Sequence, residues 1–259
     1  MTGPLLAVEH VSLAFGGVRA ISDISFEVAQ GEICSLIGPN GAGKSSLLNV
    51  INGVYQPQQG QVVFDGQPRR RMAPRQAALG GIARTFQNLA LFKGMSVLDN
   101  VLAGRSLRVH SGWWAQVLGL DAARAEADLH RARAEEILAF LHIQAYRDTP
   151  VGTLPYGLQK RVELARAMAA EPRLLLLDEP MAGMNLEEKM DMSCFILDLN
   201  RDFGTTVVLI EHDLGVVMDI SDHVVVLDYG RKVADGRPEA VRDDPAVIAA
   251  YVGSAEAVH

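Results

Sequence analysis

Gly38-Pro39-Asn40-Gly41-Ala42-Gly43-Lys44-Ser45 is the stretch on which the reading of this chain turns. Glycine, four residues, then Gly-Lys-Ser is the spacing of a phosphate-binding loop. The flanks suit it: the apolar run Ile33-Cys34-Ser35-Leu36-Ile37 enters as a strand, and Ser45-Ser46-Leu47-Leu48-Asn49-Val50-Ile51 leaves as a helix. The glycines let the backbone curl until successive N–H groups point inward, and the helix N-terminus adds the positive end of its dipole. Lys44 supplies a point charge for the outer phosphates and Ser45 a hydroxyl ligand for magnesium. A glycine-rich turn with an unemployed lysine is the plain alternative; the strand and helix flanks weigh against it. The stretch reads as a nucleotide site.

Downstream, Leu174-Leu175-Leu176-Leu177 is an apolar run of the kind buried on both faces of a parallel sheet, and it delivers Asp178-Glu179-Pro180. Asp178 can hold magnesium, directly or through water, at the mouth of the sheet. Glu179 emerges where the strand turns and is placed to polarise an attacking water. By itself the pair would pass for a solvated strand end before a proline turn. The phosphate loop upstream gives it a chemical reading.

Upstream, Leu5–Phe15 and Ile21–Val28 read as strands around the turn Gly16-Gly17. Pro57-Gln58-Gln59-Gly60 reads as a turn before the strand Gln61–Phe64, and Asp65-Gly66 as another. Residues 1–66 thus form an antiparallel β subdomain beside a nucleotide core. Arg69-Arg70-Arg71 reads as solvated surface, and Ile82–Phe86 as a strand ending at Gln87. Ser96 is an N-cap for a helix over Val97–Leu102, with Asp99 in its first turn. A long helix over Asp121–Leu141 places Leu129, Ile137, Leu138 and Leu141 mostly on one face. A helical subdomain with its own small core accounts for this region; the sharper alternative sets part of it, with Trp113-Trp114, against a membrane-embedded partner. Helices over Leu158–Ala170 and Leu186–Arg201, the strand Thr205–Ile210 and Glu211-His212-Asp213 follow. The hairpin of His223–Leu227 and Arg231–Ala234 and two short helical pieces end the chain.

The totals narrow the class. At 259 residues the chain has length for one large domain or a domain with a subdomain. A net charge of −7 argues against a broad electrostatic hold on nucleic acid or anionic lipid. Cys34 and Cys194 have no metal-type spacing, which points to a reducing cytosolic compartment. The N-terminus lacks a secretory pattern, and no apolar stretch approaches the roughly 18 residues of a spanning helix. Docking onto a protein that does span remains open.

The order GPNGAGKSS, RTFQ, LPYGLQKRVELARAMA, LLLLDEP and IEH resembles the ATP-binding cassette of ABC transporters. FGGVRAISDISFEV, RTFQNLALFKGMSVLDNV and DPAVIAAYVG resemble the branched-chain amino acid uptake branch of that family. The resemblance runs from about Leu5 to Gly236. It implies an α/β fold: a P-loop nucleotide-binding core with a parallel sheet, an antiparallel β subdomain and an α-helical subdomain. The chain would be a single ABC ATPase domain, with the β subdomain and phosphate loop in 1–66 and the helical subdomain over about 88–160. The rest of the core would fill 161–236, and a C-terminal helical extension 237–259.

Carried over residue by residue, the resemblance makes Phe15 an adenine-stacking aromatic, where the residues alone allow a core phenylalanine. Gly38, Asn40, Gly41, Gly43, Lys44, Ser45 and Ser46 would hold the phosphates of ATP and Mg2+. Gln87, by itself an ordinary loop residue, would touch magnesium and the attacking water at the coupling surface. Glu179 would be the general base. His212, which alone reads equally well as a surface cap, would contact the γ-phosphate. The signature segment departs from the family's Leu-Ser-Gly-Gly-Gln: Leu154-Pro155-Tyr156-Gly157-Leu158 lacks the serine hydroxyl that, in the family, bonds the γ-phosphate held by the opposite subunit. Gly157 at a helix N-terminus still offers backbone N–H groups to an anion. Asn185 stands where the family usually has aspartate.

The implied partners are a second ATPase subunit, identical or different, membrane-spanning permease subunits and, indirectly, a periplasmic or extracellular binding protein, with no nucleic acid. The implied place is cytoplasmic, peripheral on the inner face of the cell membrane. Related cassettes carrying urea, other amino acids or lipopolysaccharide fit the same motifs, because none of these motifs touches cargo. A soluble cassette in DNA repair or translation would favour a coiled-coil insertion or tandem cassettes. A P-loop kinase would leave the signature helix, Gln87 and His212 without roles.

Overall fold

β3 (Ile33–Ile37) is buried at every residue, and it lies between β9 (His223–Asp228) and β8 (Thr206–Ile210), parallel to both. The computed structural model describes residues 3–69, 72–85, 89–109 and 121–256, without the side chains of 252–256. Beyond β8 come β7 (Leu174–Asp178) and β6 (Ile82–Arg84), also parallel. On the other edge β10 (Arg231–Gly236) returns antiparallel to β9, giving the order β10-β9-β3-β8-β7-β6. The strands ICSLI, LLLLD and TVVLI are buried throughout because both faces of the sheet are covered.

One face is covered by α1 (Lys44–Ile51) and a second sheet of order β2-β1-β4-β5. That sheet, formed by β1 (Leu6–Phe15), β2 (Val18–Val28), β4 (Gln59–Phe64) and β5 (Gln67–Arg69), is antiparallel. Leu6, Val8, Ile21, Phe64, Leu36 and Leu47 meet in the core between them. On the other side, α3 (Val97–Gly104), α4 (Asp121–Phe140), α5 (Tyr156–Met168) and α6 (Leu186–Phe203) share a second core that includes Leu138, Val162, Leu177 and Ile196. Ser96 caps α3 by accepting from Asp99 N at 3.0 Å. Among the described residues no helix is long and apolar enough to cross a membrane.

Three sequence readings are corrected. Leu129 is 57% exposed; α4 instead buries Ala123, His130, Ala134, Ile137 and Leu138, with Arg105 Nε donating to His130 Nδ1 at 2.8 Å. A buried polar pair, invisible to hydrophobic periodicity, rotates the inward face. Second, β4 begins at Gln59, so Gly60 lies inside the strand, at φ 77°, where a side chain would meet Glu9 O at 2.2 Å. The register of β1 and β4 slips there, and glycine marks a bulge rather than a turn. Third, Arg69 is not simply solvated: its guanidinium lies 5.1 Å over the Phe64 ring. Arg70, Arg71, Trp113 and Trp114 lie outside the described residues. β5 and α2 (Pro74–Leu79) were not anticipated, being too short to show a period.

α7 (Leu214–Ile220), α8 (Pro238–Arg242) and α9 (Pro245–Glu256) complete the chain. Val247 of α9 joins Ile37, Val224 and Val226 in a third small core, with Tyr251 packed against it. Tyr251 is also hydrogen-bonded to the backbone of Gly38, the first residue of the phosphate loop; burial raises its pKa and this bond opposes the rise. Tyr251→Phe keeps the ring and removes the bond. It is expected to cost about 1 kcal/mol of folding stability, read as a lowered thermal unfolding midpoint. An unchanged midpoint would count against that tie.

Candidate active site

Because β3, β8 and β7 are parallel neighbours, the segments after them open on one side of the sheet. There stand the phosphate loop, His212 and Asp178-Glu179, at the carboxyl ends where open α/β sheets bind ligands. Gly38 has φ 141°, and a side chain on it would meet Leu227 O at 1.9 Å. Gly43, at φ 100°, is the N-cap of α1 and would meet Ala20 O at 2.5 Å. Only glycine fits at either position. Gly43 brings no side-chain cap, so the first-turn amides of α1 are available to an anion.

Lys44 is 5% exposed, and its ammonium folds back onto the loop, donating to Gly38 O at 2.6 Å and Pro39 O at 3.0 Å. Burial lowers its pKa, against the opposing charges of Glu179 and Asp178. Asn40 and Ser45 are exposed, Ser46 is half-buried, and Gly41 takes φ 82° at the tip of the loop. Asp178 is buried; its Oδ2 accepts from Arg84 at 2.8 Å, while its Oδ1 has no hydrogen-bond partner among the described residues. That orphaned oxygen, on a carboxylate close enough to Lys44 of the phosphate loop for their charges to interact, fits a divalent cation carried with phosphates.

Glu179 follows directly and takes φ +50°, a left-handed conformation costly for a residue with a side chain, of order 1–3 kcal/mol. Its Oε1 lies 2.8 Å from His212 Nε2. The structure therefore brings Lys44, Asp178, Glu179 and His212 to one place. Phe15 is 45% exposed at the end of β1, its ring edge-on to Tyr55 with centroids 5.0 Å apart. Tyr55 N in turn bonds Asn49 O of α1, at 3.0 Å. An exposed aromatic anchored to the loop helix suits a base-stacking role better than a core one.

Gly157 belongs elsewhere. It is buried in the first turn of α5, and the three atoms nearest to a side chain there would all belong to Glu188, the closest at 2.1 Å. Glu188 is itself fixed in a capping box with Asn185 at the start of α6. Asn185 thus has a local task, worth about 1 kcal/mol. Gln87 lies outside the described residues.

Two residues escaped the sequence reading. Arg84 bridges Asp178 and Asn49 Oδ1, the latter at 2.5 Å, tying β6, β7 and α1 together. Glu211 is 4% exposed and accepts Met181 N at 2.8 Å and His212 N at 3.2 Å. Both lie inside quoted motifs, RTFQ and IEH. The available signal was an ionisable residue at the end of a buried strand.

Residues 21–182 match the ABC transporter family model, and residues 231–257 match that of the branched-chain amino acid ATP-binding cassette transporter. The high-affinity branched-chain amino acid transport ATP-binding protein BraF of Pseudomonas aeruginosa is 39% identical over 98% of this chain and all of its own length. Its counterpart LivG of Escherichia coli K12 is 37% identical over the same shares. The ADP conformation of an ATP-binding cassette of an ABC transporter superposes with TM-score 0.84 at 32% identity, covering 97% of this chain and 100% of that one. A nucleotide-free cassette gives 0.83 at 31% identity, covering 96% and 98%. With the phosphate loop, the Asp178-Glu179 strand end and His212 on one edge of a cassette fold, the chain belongs to the ABC transporter family, as an ATP-binding subunit.

Proposed function

We propose that this ATPase serves the uptake of branched-chain amino acids, with Glu179 and His212 at the centre of its chemistry. The observation that carries the site reading is their 2.8 Å hydrogen bond, made beside the phosphate loop from the ends of neighbouring strands. Hydrolysis of ATP is coupled to transport in this family. The loop amides and Lys44 hold the phosphates, exchanging the ammonium's contacts with Gly38 O and Pro39 O for phosphate oxygens. Ser45 and Asp178, with Gln87 by resemblance, hold Mg2+, which when bound screens the phosphate charge. Glu179 takes the proton from the attacking water, and His212 orients that carboxylate and contacts the γ-phosphate. Phe15 stacks on the adenine.

By resemblance, the helix N-terminus that carries Gly157 is the part that meets the γ-phosphate of a second ATPase subunit, and the pair docks on membrane-spanning permease subunits at the cytoplasmic face. The relatives' names and the C-terminal match support the cargo. The test is ATP-driven leucine uptake by the chain reconstituted with its permease and binding protein. ATP turnover with no uptake of leucine, isoleucine or valine would overturn the cargo and leave the ATPase reading intact.

Pro155 shapes the cross-subunit contact. It is the N-cap of α5 and supplies no side-chain cap, whereas a serine hydroxyl could bond either its own helix amides or a γ-phosphate. One charge-assisted hydrogen bond contributes about 1.5–3 kcal/mol. Proline's fixed φ preorganises the amides that follow but adds no donor. Pro155→Ser is therefore expected to strengthen ATP-driven dimerisation in a Glu179→Gln background, read by sedimentation with ATP. Equal or weaker dimerisation would mean that the segment reaches phosphate without a hydroxyl.

A further inference from the structure

We infer that Glu211 is a positioning residue for hydrolysis, a buried carboxylate that holds Glu179 and His212 in register. The inference rests on the roles proposed above for those two residues. Glu179 and His212 arrive from different strands, β7 and β8, and their 2.8 Å hydrogen bond requires both loops to keep a fixed offset. Main-chain pairing ends there: Glu179 N donates to Ile210 O at 3.0 Å, the last strand-like bond between the two segments. Past that point Glu211 takes over. Its Oε1 accepts Met181 N at 2.8 Å, two residues after Glu179, and its Oε2 accepts His212 N at 3.2 Å.

The result is a closed ring: Glu179, Pro180 and Met181 along one chain segment, Glu211 and His212 along the other, joined by the Glu211 carboxylate at one end and the imidazole at the other. The positive φ of Glu179 gains its explanation. A left-handed residue with a side chain persists only where its surroundings over-determine it, and here the amides of Glu179 and Met181 are pinned by residues 210 and 211. Farther along, Asp213 adds a second clasp, binding Lys189 Nζ of α6 at 2.8 Å.

Glutamate suits the task because a carboxylate offers two acceptor oxygens and no donor. Each oxygen meets one amide. Burial pushes the carboxyl above the usual carboxylate range, and the two amides work against that. Glutamine of the same shape would satisfy one amide and turn its own NH2 toward the other. The Gly38–Ser45 cradle makes no use of Glu211, so binding of ATP should not depend on it.

The experiment uses the full chain, measuring steady-state ATPase and nucleotide affinity of Glu211→Gln, His212→Ala and the double variant. Glu211→Gln is expected to lower kcat about 10- to 100-fold, as slight misplacement of a catalytic group does, with KM and ATP affinity unchanged. In the His212→Ala background the same substitution should cost several-fold less than it does alone, because the part of its effect exerted through His212 is already lost and residues acting as one unit are non-additive. Wild-type kcat in Glu211→Gln, a raised KM with unchanged kcat, or fully additive losses would overturn the inference. Undiminished turnover in His212→Ala or Glu179→Gln would instead remove the roles on which it rests. Should Glu211→Gln fail to fold, hydrogen exchange in the unsubstituted chain still decides. The Met181 amide must be protected, and exchange at the rate of an exposed amide would sink the assignment.

Discussion

Glu179→Gln is expected to bind ATP as the unsubstituted chain does and to hydrolyse it about 10²–10⁴-fold more slowly, the range lost with a general base. The substitution leaves the cradle intact, since Gly38, Gly43 and Lys44 make their contacts without the Glu179 side chain. It keeps the side-chain volume and one oxygen for His212 Nε2, 2.8 Å away in the structure. The backbone at φ +50° is held by main-chain and Glu211 contacts that do not involve that side chain. What disappears is the capacity to accept a proton, so kcat carries the loss. Steady-state turnover with nucleotide titration on the same preparation separates the two quantities. Near-normal turnover would take the base role from Glu179 and point to another acceptor.

How much of this site was legible from residue order follows from how each part is built. The phosphate loop is local: glycine at fixed offsets, lysine and a helix start are all contiguous, so the pattern carries its own geometry. β7 was legible because four leucines in a row, closed by Asp-Glu-Pro, suit a short strand buried on both faces. The convergence of Asp178, Glu179 and His212 was legible through the family resemblance, because strand order in a sheet is not written in any one segment. Gly60 misled because the same residue serves a turn and a bulge, and only the pairing of β1 with β4 distinguishes them. Leu129 misled because Arg105 and His130, 25 residues apart, choose each other rather than an apolar neighbour. Glu211 escaped for a related reason. Its partners are main-chain amides, and no side-chain pattern announces an amide that needs an acceptor.

Lys44→Ala is expected to weaken ATP binding by about 10- to 100-fold, as the loss of a charge-assisted contact worth about 1.5–3 kcal/mol implies. ATP-driven transport should fall with it. The fold should survive, because the helix that carries Lys44 is anchored by Leu47, Leu48 and Ile51, each fully buried. The ammonium is bonded only to Gly38 O and Pro39 O among the described residues, so its removal breaks no contact between separate elements. Lys44→Arg is a sharper control. It keeps the charge but replaces a compact ammonium, seated on Gly38 O and Pro39 O, with a bulkier planar fork. Arginine should therefore rescue little of the affinity, which would assign the effect to a point charge at a fixed depth rather than to charge alone. Nucleotide titration of both variants, with far-ultraviolet circular dichroism to verify folding, decides the matter. Unchanged affinity in a folded Lys44→Ala chain would mean that the loop amides hold the phosphates without the lysine, and the phosphate-loop assignment of its role would have to be given up.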